Sequence, residues 1–494
     1  MGAEAALFKP DWLTYPTDPA RLDPVIWMPS FTRSQGGELE VDGTPVSRLV
    51  ADFGTPEYVF SETTFRARAA EFRSAFQTAF EKEGAEVSVY YAGKSFLTTA
   101  VAKWAEEEGL CLDTASGGEL AIAMRAGVPG EKIALHGNNK SEAEIRRALT
   151  YGVGRLVADS VPEVQLIARL AAELGVLAPV MLRVTPGVHA STHDYIATAH
   201  EDQKFGQSLA AGTASLAGLS AEELAELGLG ADDAYATVAA ALALASDHID
   251  LRGLHCHIGS QIFEAEGFGK AAQKVLTYMQ QLNERFDLVL PEIDLGGGYG
   301  IGYTEQDTPR GSADIASELA QMVAETCASV GMAIPHLSFE PGRSISGPSG
   351  ITLYRVGTIK DVAIEDEQGD TRVRRYVSVD GGMSDNPRPV LYESDYAVTL
   401  ANRAPEGEQV LCRVVGKHCE SGDIVIRYCY LPADLEAGDI LAVPATGAYN
   451  HVMASNYNYL TRPPVIATAQ GTSPRVMVRR ETEEDLLARD QGLI

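Results

Sequence analysis

The chain has 494 residues, of which 40 are Lys or Arg and 68 are Asp or Glu, so its net charge at pH 7 is −28. One hydrophobic core stops growing at about 250–300 residues, so this length predicts two domains. The acidity argues against nucleic acid and against an anionic membrane surface as partners, because both attract clustered Lys and Arg.

The cysteines and the N-terminus bear on where the protein works. The six cysteines include no Cys-x-x-Cys pair, and six in so long a chain predict reduced, mostly buried thiols. We find no signal-peptide pattern, and Ala6 stands where a myristoylation motif needs Ser or Thr. No apolar run reaches the roughly 18 residues of a membrane span. We therefore expect a cytoplasmic protein.

From residue 87 onward the sequence repeats a unit in which a short apolar run precedes an Ala- and Glu-rich stretch. The apolar runs predict eight strands, at 87–93, 111–115, 133–137, 155–159, 179–185, 249–256, 292–296 and 335–340. The stretches between them predict helices that include 97–108, 117–126, 141–151, 161–174 and 313–330. Eight β-then-α units over about 250 residues are typical of a (β/α)8 barrel of the TIM type. A doubly wound open sheet is the alternative.

Two parts of the chain depart from this repeat. Residues 186–219 form a long polar connection that contains several His, and loops of such length are usually functional or disordered. After residue 345, strand-like runs alternate with turn residues, which predicts an all-β second domain of sandwich or barrel type. Residues 40–60 have the same character. We predict a barrel domain at 61–345 and a β domain, formed by 1–60 and 346–494, that completes the active site.

In a barrel of this kind, catalysis takes place where the strands end. The polar residues and glycines at the predicted strand ends are Lys94, Asp113, Ser116, His136, Asn138, Asn139, Asp159, Arg183, His255, His257, Gly296, Gly297, Gly298, Glu340 and Arg343. A lysine is usually a surface residue. Next to a buried strand, however, the desolvated amine of Lys94 loses its proton more easily and can act as a Schiff-base nucleophile.

Three further strand-end motifs suggest a ligand. The GGGYGIG turn at 296–302 offers backbone N–H groups to a phosphate, or is simply a tight turn; it has neither P-loop nor GxGxxG spacing. Glu340, in EPGR, can pair with a pyridine nitrogen, although a helix cap or a salt bridge is the plainer alternative. His255 and His257 suit a metal, a planar ligand or the core. We predict no metal, since no clear third ligand lies nearby in sequence.

The second domain carries its own polar motifs. In KHCESGDI at 417–424, the acids beside Cys419 raise the pKa expected for its thiol, which favours proton donation over nucleophilic attack. A plain β-turn is the alternative. DNPRPVLY at 385–392 contributes Arg388 and Tyr392, and GAYNHVMASNYN at 447–458 contributes Tyr449.

Nine motifs in order resemble one known family. They are YAGKSF, HGNNK, IATAHEDQKFG, GLHCHIGSQ, DLGGGYGI, EPGR, DGGMSDNPRPVLY, HCESGD and SNYN, within residues 50–480. Together they resemble the diaminopimelate decarboxylases, which are pyridoxal-phosphate enzymes of the alanine-racemase-like barrel class. The resemblance implies decarboxylation of meso-2,6-diaminopimelate to L-lysine and CO2, the last step of lysine biosynthesis. It also implies a homodimer in which the cysteine loop enters the partner's active site.

The resemblance further implies a role for each site residue. Lys94 forms an aldimine with pyridoxal phosphate, and Cys419 donates a proton to the product. The cofactor-binding residues are Lys94, His257, Gly297, Gly298, Glu340, Gly342, Arg343 and Tyr449. The substrate-binding residues are Arg343, Arg388, Tyr392, Glu420 and Tyr449. His189, Val390 and Glu393 depart from the family pattern, which leaves loop closure open.

Other functions fit the sequence less well. Ornithine- or arginine-type decarboxylases of the same class act on substrates without a distal carboxylate, so Arg388 favours diaminopimelate. A racemase is disfavoured because Glu340 favours a fully protonated cofactor ring. A non-catalytic pyridoxal-binding relative is expected to lack Lys94, Cys419 or the arginines. A purely structural barrel leaves the polar strand ends unexplained.

Overall fold

The computed structural model describes residues 8–187, 202–365 and 369–492. The chain divides into two compact units. The β unit comprises Met1–Ala67, Ile301–Pro309 and Arg343–Ile494, and the barrel unit comprises Arg68–Gly300 and Arg310–Gly342. The sequence-based boundaries stand at residues 60 and 345, and the sequence gives no sign that 301–309 groups with the β unit. His189 and most of the IATAHEDQ motif lie outside the described residues.

The N-terminal part of the β unit begins with a small antiparallel sheet and then adds a strand to the main sheet of that unit. Its elements are β1 (Phe31–Arg33), β2 (Leu39–Val41), β3 (Thr44–Pro45), α1 (Val46–Phe53) and β4 (Glu57–Ser61). β4 is buried along its whole length. The N-terminal segment is therefore part of the core of the β unit.

In the barrel unit, parallel strands alternate with helices. The strands are β5 (Val87–Ala92), β6 (Cys111–Thr114), β7 (Ile133–Leu135), β8 (Arg155–Ala158), β9 (Ala178–Thr185), β10 (Gln207–Ser208), β11 (Ile249–His255), β12 (Glu292–Asp294) and β13 (His336–Phe339). The helices are α2 (Glu62–Glu81, which begins in the β unit), α3 (Thr99–Glu107), α4 (Gly117–Ala126), α5 (Glu142–Tyr151), α6 (Val161–Leu174), α7 (Ala221–Glu226), α8 (Tyr235–Leu244), α9 (Ala265–Phe286) and α10 (Ser312–Val330).

Within the described residues, eight of these strands close into a barrel, and β10 pairs in parallel with the carboxyl end of β9. The pairing runs β9-β11-β12-β13-β5-β6-β7-β8, and β8 pairs again with β9. That last pairing closes the sheet, which confirms the TIM-type barrel and makes the open-sheet alternative wrong. The sequences of these strands are nearly continuous apolar runs, because parallel strands are buried on both faces.

Capping residues fix where the barrel helices begin and end. Ser141 and Glu144 form a reciprocal capping box at the start of α5, and Gly152 ends that helix with φ 76°. A left-handed residue of this kind satisfies the last carbonyls of a helix and carries least strain when it is glycine. These caps hold the turns at both ends of α5 in place.

The remaining elements of the β unit are the strands of a mostly antiparallel sheet and three short helices. They are α11 (Arg343–Ser346), β14 (Gly350–Glu365), β15 (Thr371–Val379), α12 (Arg388–Leu391), β16 (Thr399–Leu400), β17 (Gln409–Val415), β18 (Ile424–Pro432), β19 (Ile440–Val443), β20 (Val465–Thr468), β21 (Arg475–Val478) and α13 (Glu483–Leu487). The strand order is β18-β17-β15-β14-β4-β20-β21, and β19 pairs with β14 and β16. This agrees with the predicted all-β second domain. No helix of the described ranges has the length and apolar character needed to cross a membrane.

Candidate active site

Lys94 lies at the carboxyl end of a barrel strand, as the sequence predicts. It follows β5 directly, within the short 3-10 turn Gly93–Ser95, and is half-buried. Ser95 Oγ donates a hydrogen bond to the Ala92 carbonyl at 2.8 Å, which braces the turn. A Cβ on Gly93 would lie 2.8 Å from the Asp113 carbonyl oxygen, so the turn can approach β6 only with glycine there.

A buried carboxylate lies among two imidazoles inside the mouth of the barrel. Glu340 Oε1 is 3.1 Å from His255 Nε2 and 3.3 Å from His136 Nε2. Asp113 Oδ1 is 3.5 Å from His136 Nε2. Their side chains are buried, and they come from the ends of four different strands. The barrel therefore gathers a cluster of titratable groups that no single sequence motif contains.

Burial shifts the pKa of each of these groups. It lowers the pKa of His136 and His255, which favours neutral imidazoles, and it raises that of Asp113 well above its usual value. Burial also opposes ionisation of Glu340. The adjacent His136 and His255 outweigh that effect and hold the pKa of Glu340 well below its usual value. The two carboxyl groups of the cluster are thus shifted in opposite directions, the pKa of Asp113 upward and that of Glu340 downward.

The glycine-rich turn after β12 packs closely against neighbouring strand ends. A Cβ on Gly297 would lie 2.0 Å from the Glu340 carbonyl oxygen, and one on Gly298 would lie 2.4 Å from the Gly259 carbonyl oxygen. Gly298 also has φ 120°, which residues with side chains rarely adopt. The turn therefore needs glycine at both positions, and its backbone lies beside Glu340.

His257 has different contacts from His255. The Gly259 N–H donates to His257 Nδ1 at 3.2 Å, which leaves the ring proton on Nε2 in the neutral form. Burial, with Lys94 nearby, lowers the pKa of His257 well below its usual value. The predicted pair His255 and His257 thus divides: His255 contacts Glu340, and His257 accepts the Gly259 N–H.

Two arginines and several tyrosines cluster in the β unit. Arg343 donates to the hydroxyl of Tyr303, and its guanidinium carbon lies 4.6 Å from the ring centre of Tyr449. The guanidinium carbon of Arg388 lies 5.5 Å from Tyr303, 5.4 Å from Tyr392 and 5.9 Å from Tyr449. Arg343 and Arg388 are only 6% and 7% exposed. Two buried guanidiniums in one cluster suit an anionic ligand such as a carboxylate.

The Cys419 turn lies between β17 and β18. Cys419 is exposed, and its N–H donates to Asn458 Oδ1 at 2.9 Å. Tyr457 donates from its hydroxyl to Glu420 Oε2 at 3.4 Å. The SNYN motif therefore braces the HCESGD motif, and both Cys419 and Glu420 face solvent within the β unit.

Sequence reasoning did not assign a role to several residues of these clusters. Asp113, His136 and His255 stand at strand ends, but their convergence on Glu340 depends on the closed barrel. Tyr303 was missed altogether, and its one sequence signal is its place just after GGGYGIG. His136, His255 and Glu340 also have the chemistry of metal ligands, with ligand atoms within 4.8 Å of one another.

The chain resembles known proteins over nearly its whole length. The sequence profile described as "Pyridoxal-dependent decarboxylase, pyridoxal binding domain" matches residues 65–230 and 220–347. The chain is 44% identical over 463 residues to diaminopimelate decarboxylase of Corynebacterium efficiens, with 94% of each chain covered. It is also 44% identical over 471 residues to the Mycobacterium tuberculosis enzyme, covering 94% of this chain and 98% of that one.

A solved structure has the same fold. The crystal structure of diaminopimelate decarboxylase from M. jannaschii in co-complex with L-lysine superposes with a TM-score of 0.80 at 31% identity, covering 94% of this chain and 98% of that one. The barrel with its lysine, carboxylate and glycine turn is that of the pyridoxal-phosphate-dependent decarboxylases. Within that class, the chain belongs to the diaminopimelate decarboxylase family.

The barrel residues fit pyridoxal phosphate. Among the described residues, both carboxylate oxygens of Asp113 and Nδ1 of His255 are buried without a hydrogen-bond partner. A polar ligand can satisfy such groups. Gly297 and Gly298 leave the turn without side chains, and a bare glycine backbone of this kind suits a phosphate. The lowered pKa of Glu340 suits a carboxylate that pairs with a protonated pyridine nitrogen, which this cofactor offers.

Proposed function

We propose that the enzyme decarboxylates meso-2,6-diaminopimelate to L-lysine and CO2. The observation that carries this proposal is the Glu340 carboxylate, held 3.1 Å from His255 Nε2 and 3.3 Å from His136 Nε2 in a barrel that also places Lys94 at a strand end. Membership of the diaminopimelate decarboxylase family supports the choice of substrate.

When pyridoxal phosphate is bound, it supplies an electron sink for the electron pair that is left when the carboxylate departs as CO2. We propose that Lys94 holds the cofactor covalently and that Glu340 keeps the proton on the pyridine nitrogen. His257 would pack on the ring. Backbone N–H groups of Gly297, Gly298 and Gly342 would hold the phosphate, and Arg343 and Tyr449 would be further cofactor contacts.

The arginines of the β unit determine the substrate. Diaminopimelate has an ammonium and a carboxylate at each end, so an enzyme that removes one carboxylate must hold the other. We propose that Arg343 and Arg388 bind the retained carboxylate through paired N–H groups. Tyr392 and Tyr449 line this site, and Glu420 binds the distal ammonium. An ornithine-type substrate has no carboxylate for Arg388, which makes that alternative the weaker one.

Cys419 completes the reaction. The substrate loses its carboxylate as CO2, and the same carbon must gain one proton. We propose that the Cys419 thiol donates that proton and is then reprotonated from solvent, which its exposed position allows.

We also propose a homodimer in which Cys419 and Glu420 act in the partner's active site. Their solvent exposure within one chain supports this arrangement. A cytoplasmic location is supported by the six unpaired cysteines, because such thiols persist in a reducing compartment.

The central experiment compares CO2 release from meso-diaminopimelate, ornithine, arginine and lysine. We expect release from meso-diaminopimelate alone, and faster release from ornithine would establish the alternative. In parallel, the purified protein should absorb visible light after addition of pyridoxal phosphate, and borohydride should attach the cofactor to the Lys94 peptide. Lys94→Ala serves as the control. A protein that stays colourless with the cofactor would overturn the proposal.

A further inference from the structure

Asp423 is the buried centre of the turn that carries Cys419. It is 3% exposed, although residues 420–422 around it are exposed. Its Oδ2 accepts the backbone N–H of His418 and the His418 Nδ1–H, both at 2.8 Å. Its Oδ1 accepts the backbone N–H of Met383 at 2.6 Å. A side chain this well satisfied fixes the backbone immediately before Cys419.

Two glycines make room for this carboxylate. A Cβ on Gly416 would lie 2.2 Å from Asp423 Oδ2, and one on Gly382 would lie 2.6 Å from Asp423 Oδ1. Gly382 also has φ 152°, whereas the backbone of Gly416 has no positive φ. The requirement at Gly416 is therefore one of space alone, and the space it leaves is filled by the Asp423 carboxylate.

Asp423 joins two segments that carry different site residues. One is the turn from Gly416 to Asp423, and the other runs from Gly381 to Arg388. The segments meet again where the Lys417 N–H donates to the Gly381 carbonyl at 3.1 Å. The His418 ring also lies parallel to the Tyr457 ring, with centres 5.7 Å apart and an interplanar angle of 5°. Asp423 thus sets the path of the chain on both sides of the contact.

We propose that Asp423, in the space left by Gly382 and Gly416, is a positioning residue for proton transfer. It holds the Cys419 thiol in one orientation toward the reacting carbon, and it keeps the Cys419 turn in register with the segment that leads to Arg388. This inference rests on the proposed proton-donor role of Cys419 and deepens it. Asp423 itself touches neither substrate nor cofactor in the proposed reaction.

The chemistry of the carboxylate explains why an isosteric amide cannot replace it. Three N–H groups point at the two oxygens of Asp423, so all of its contacts are accepted hydrogen bonds. Asparagine retains one oxygen and directs an NH2 group at one or two of these donors. The turn then has to shift to relieve that contact, and a displacement of about 1 Å can slow a reaction by on the order of 100-fold.

The test compares Asp423→Asn and Gly416→Ala with the matched control Gly422→Ala. Gly422 lies in the same turn, and a Cβ there meets nothing within 4 Å. Each holoenzyme is assayed for kcat and KM with meso-diaminopimelate and for cofactor absorbance. The reaction is also run in D2O, and the configuration of the new deuterium on the product is determined by NMR. The rate of Cys419 alkylation by iodoacetamide, read by peptide mass spectrometry, reports on the turn without turnover.

We expect Asp423→Asn and Gly416→Ala to keep the cofactor absorbance and to lower kcat by on the order of 10- to 100-fold. We also expect mixed deuterium configuration in both, an altered rate of Cys419 alkylation, and non-additive losses in the double variant because both changes disturb one contact. Gly422→Ala should match the parent enzyme. Restored configuration in Asp423→Glu would further support positioning.

Two outcomes overturn the inference. One is unchanged kcat and a single deuterium configuration in Asp423→Asn and Gly416→Ala. The other is a lower melting temperature in both variants with kcat unchanged, which indicates a purely structural role. The proposed function fails separately: Cys419→Ala with full turnover removes the proton donor itself, whatever the Asp423 variants do.

Discussion

His255 Nε2 lies 3.1 Å from Glu340 Oε1, and both side chains are only 1% exposed. Burial lowers the pKa of His255, so at neutral pH the ring is uncharged. A neutral ring in this position donates from Nε2 to the carboxylate. His136 Nε2 approaches the same oxygen at 3.3 Å. The barrel therefore holds one buried carboxylate beside two imidazoles, and these neighbours keep the pKa of Glu340 well below its usual value, which suits a protonated ligand nitrogen.

We predict that Glu340→Gln lowers kcat by on the order of 100- to 1,000-fold, the effect of losing a preorganised charge partner. Cofactor attachment should survive, because Lys94 is unchanged. Visible absorption measures attachment, and CO2 release measures turnover. Glu325→Gln, on the exposed face of α10, is the matched control and should behave like the parent enzyme. Parental turnover in Glu340→Gln would show that the cofactor ring nitrogen does not depend on this carboxylate.

We predict that Arg388→Ala raises KM for meso-diaminopimelate by about tenfold or more, from the loss of a charge-assisted pair of roughly 1.5–3 kcal/mol. Arg388→Lys keeps the charge and loses the planar guanidinium, so its KM should lie between those of the parent enzyme and Arg388→Ala. Steady-state kinetics provides the measurement, with the melting temperature of each variant to exclude unfolding. An unchanged KM in the alanine variant would remove Arg388 from the substrate site.

The barrel could be predicted from sequence because its signals are local. Each β-then-α unit has an apolar run, a polar strand end and a capped helix, as at Ser141 and Gly152 of α5. The strand-end rule then identified Lys94 and Glu340 before any pairing was known. The structure places both residues directly after barrel strands, as predicted, and their chemical roles stay a prediction.

The contacts around these residues could not be predicted, because they join strand ends that are distant in the chain. The spacing of His255 and His257 at i, i+2 fits several functions. Only the closed barrel brings His255, together with the distant His136, to Glu340. Tyr303 belongs by sequence to the barrel region, but it packs with Arg343 and Arg388 of the β unit. Such partners depend on tertiary structure, which periodicity does not report.

A buried ion pair near the end of β7, the third barrel strand, contributes to the stability of the barrel. Lys140 Nζ donates to the carbonyls of Gly137 and Val157 and to Glu163 Oε1, each at 2.6 Å. We predict that Lys140→Met costs about 3–5 kcal/mol of unfolding free energy, since it leaves Glu163 buried without its cation. Denaturant unfolding provides the measurement. The double variant Lys140→Met/Glu163→Leu should regain much of the loss, and a single variant as stable as the parent would contradict the prediction.

Glu57, on β4, should make the β unit less stable as pH rises. It is 0% exposed, and neither carboxylate oxygen has a hydrogen-bond partner among the described residues. Burial raises the pKa of Glu57 to about 8 from an ordinary value of 4.5, although Arg480 opposes the shift. Between those pH values the folded state holds a proton that the unfolded state has released. The stabilisation from protonated Glu57 is therefore complete below pH 4.5 and is lost progressively as pH rises to about 8.

Glu57→Gln keeps a neutral side chain at every pH, so its melting temperature should exceed that of the parent by a margin that grows between pH 5.5 and pH 8. We expect the margin to increase by roughly 3 °C or more across that range and then to level off. Differential scanning calorimetry at several pH values provides the measurement. Glu408→Gln, an exposed site in the same unit, is the control and should give a pH-independent difference. A constant difference for Glu57→Gln would show that this carboxyl ionises normally in the folded protein.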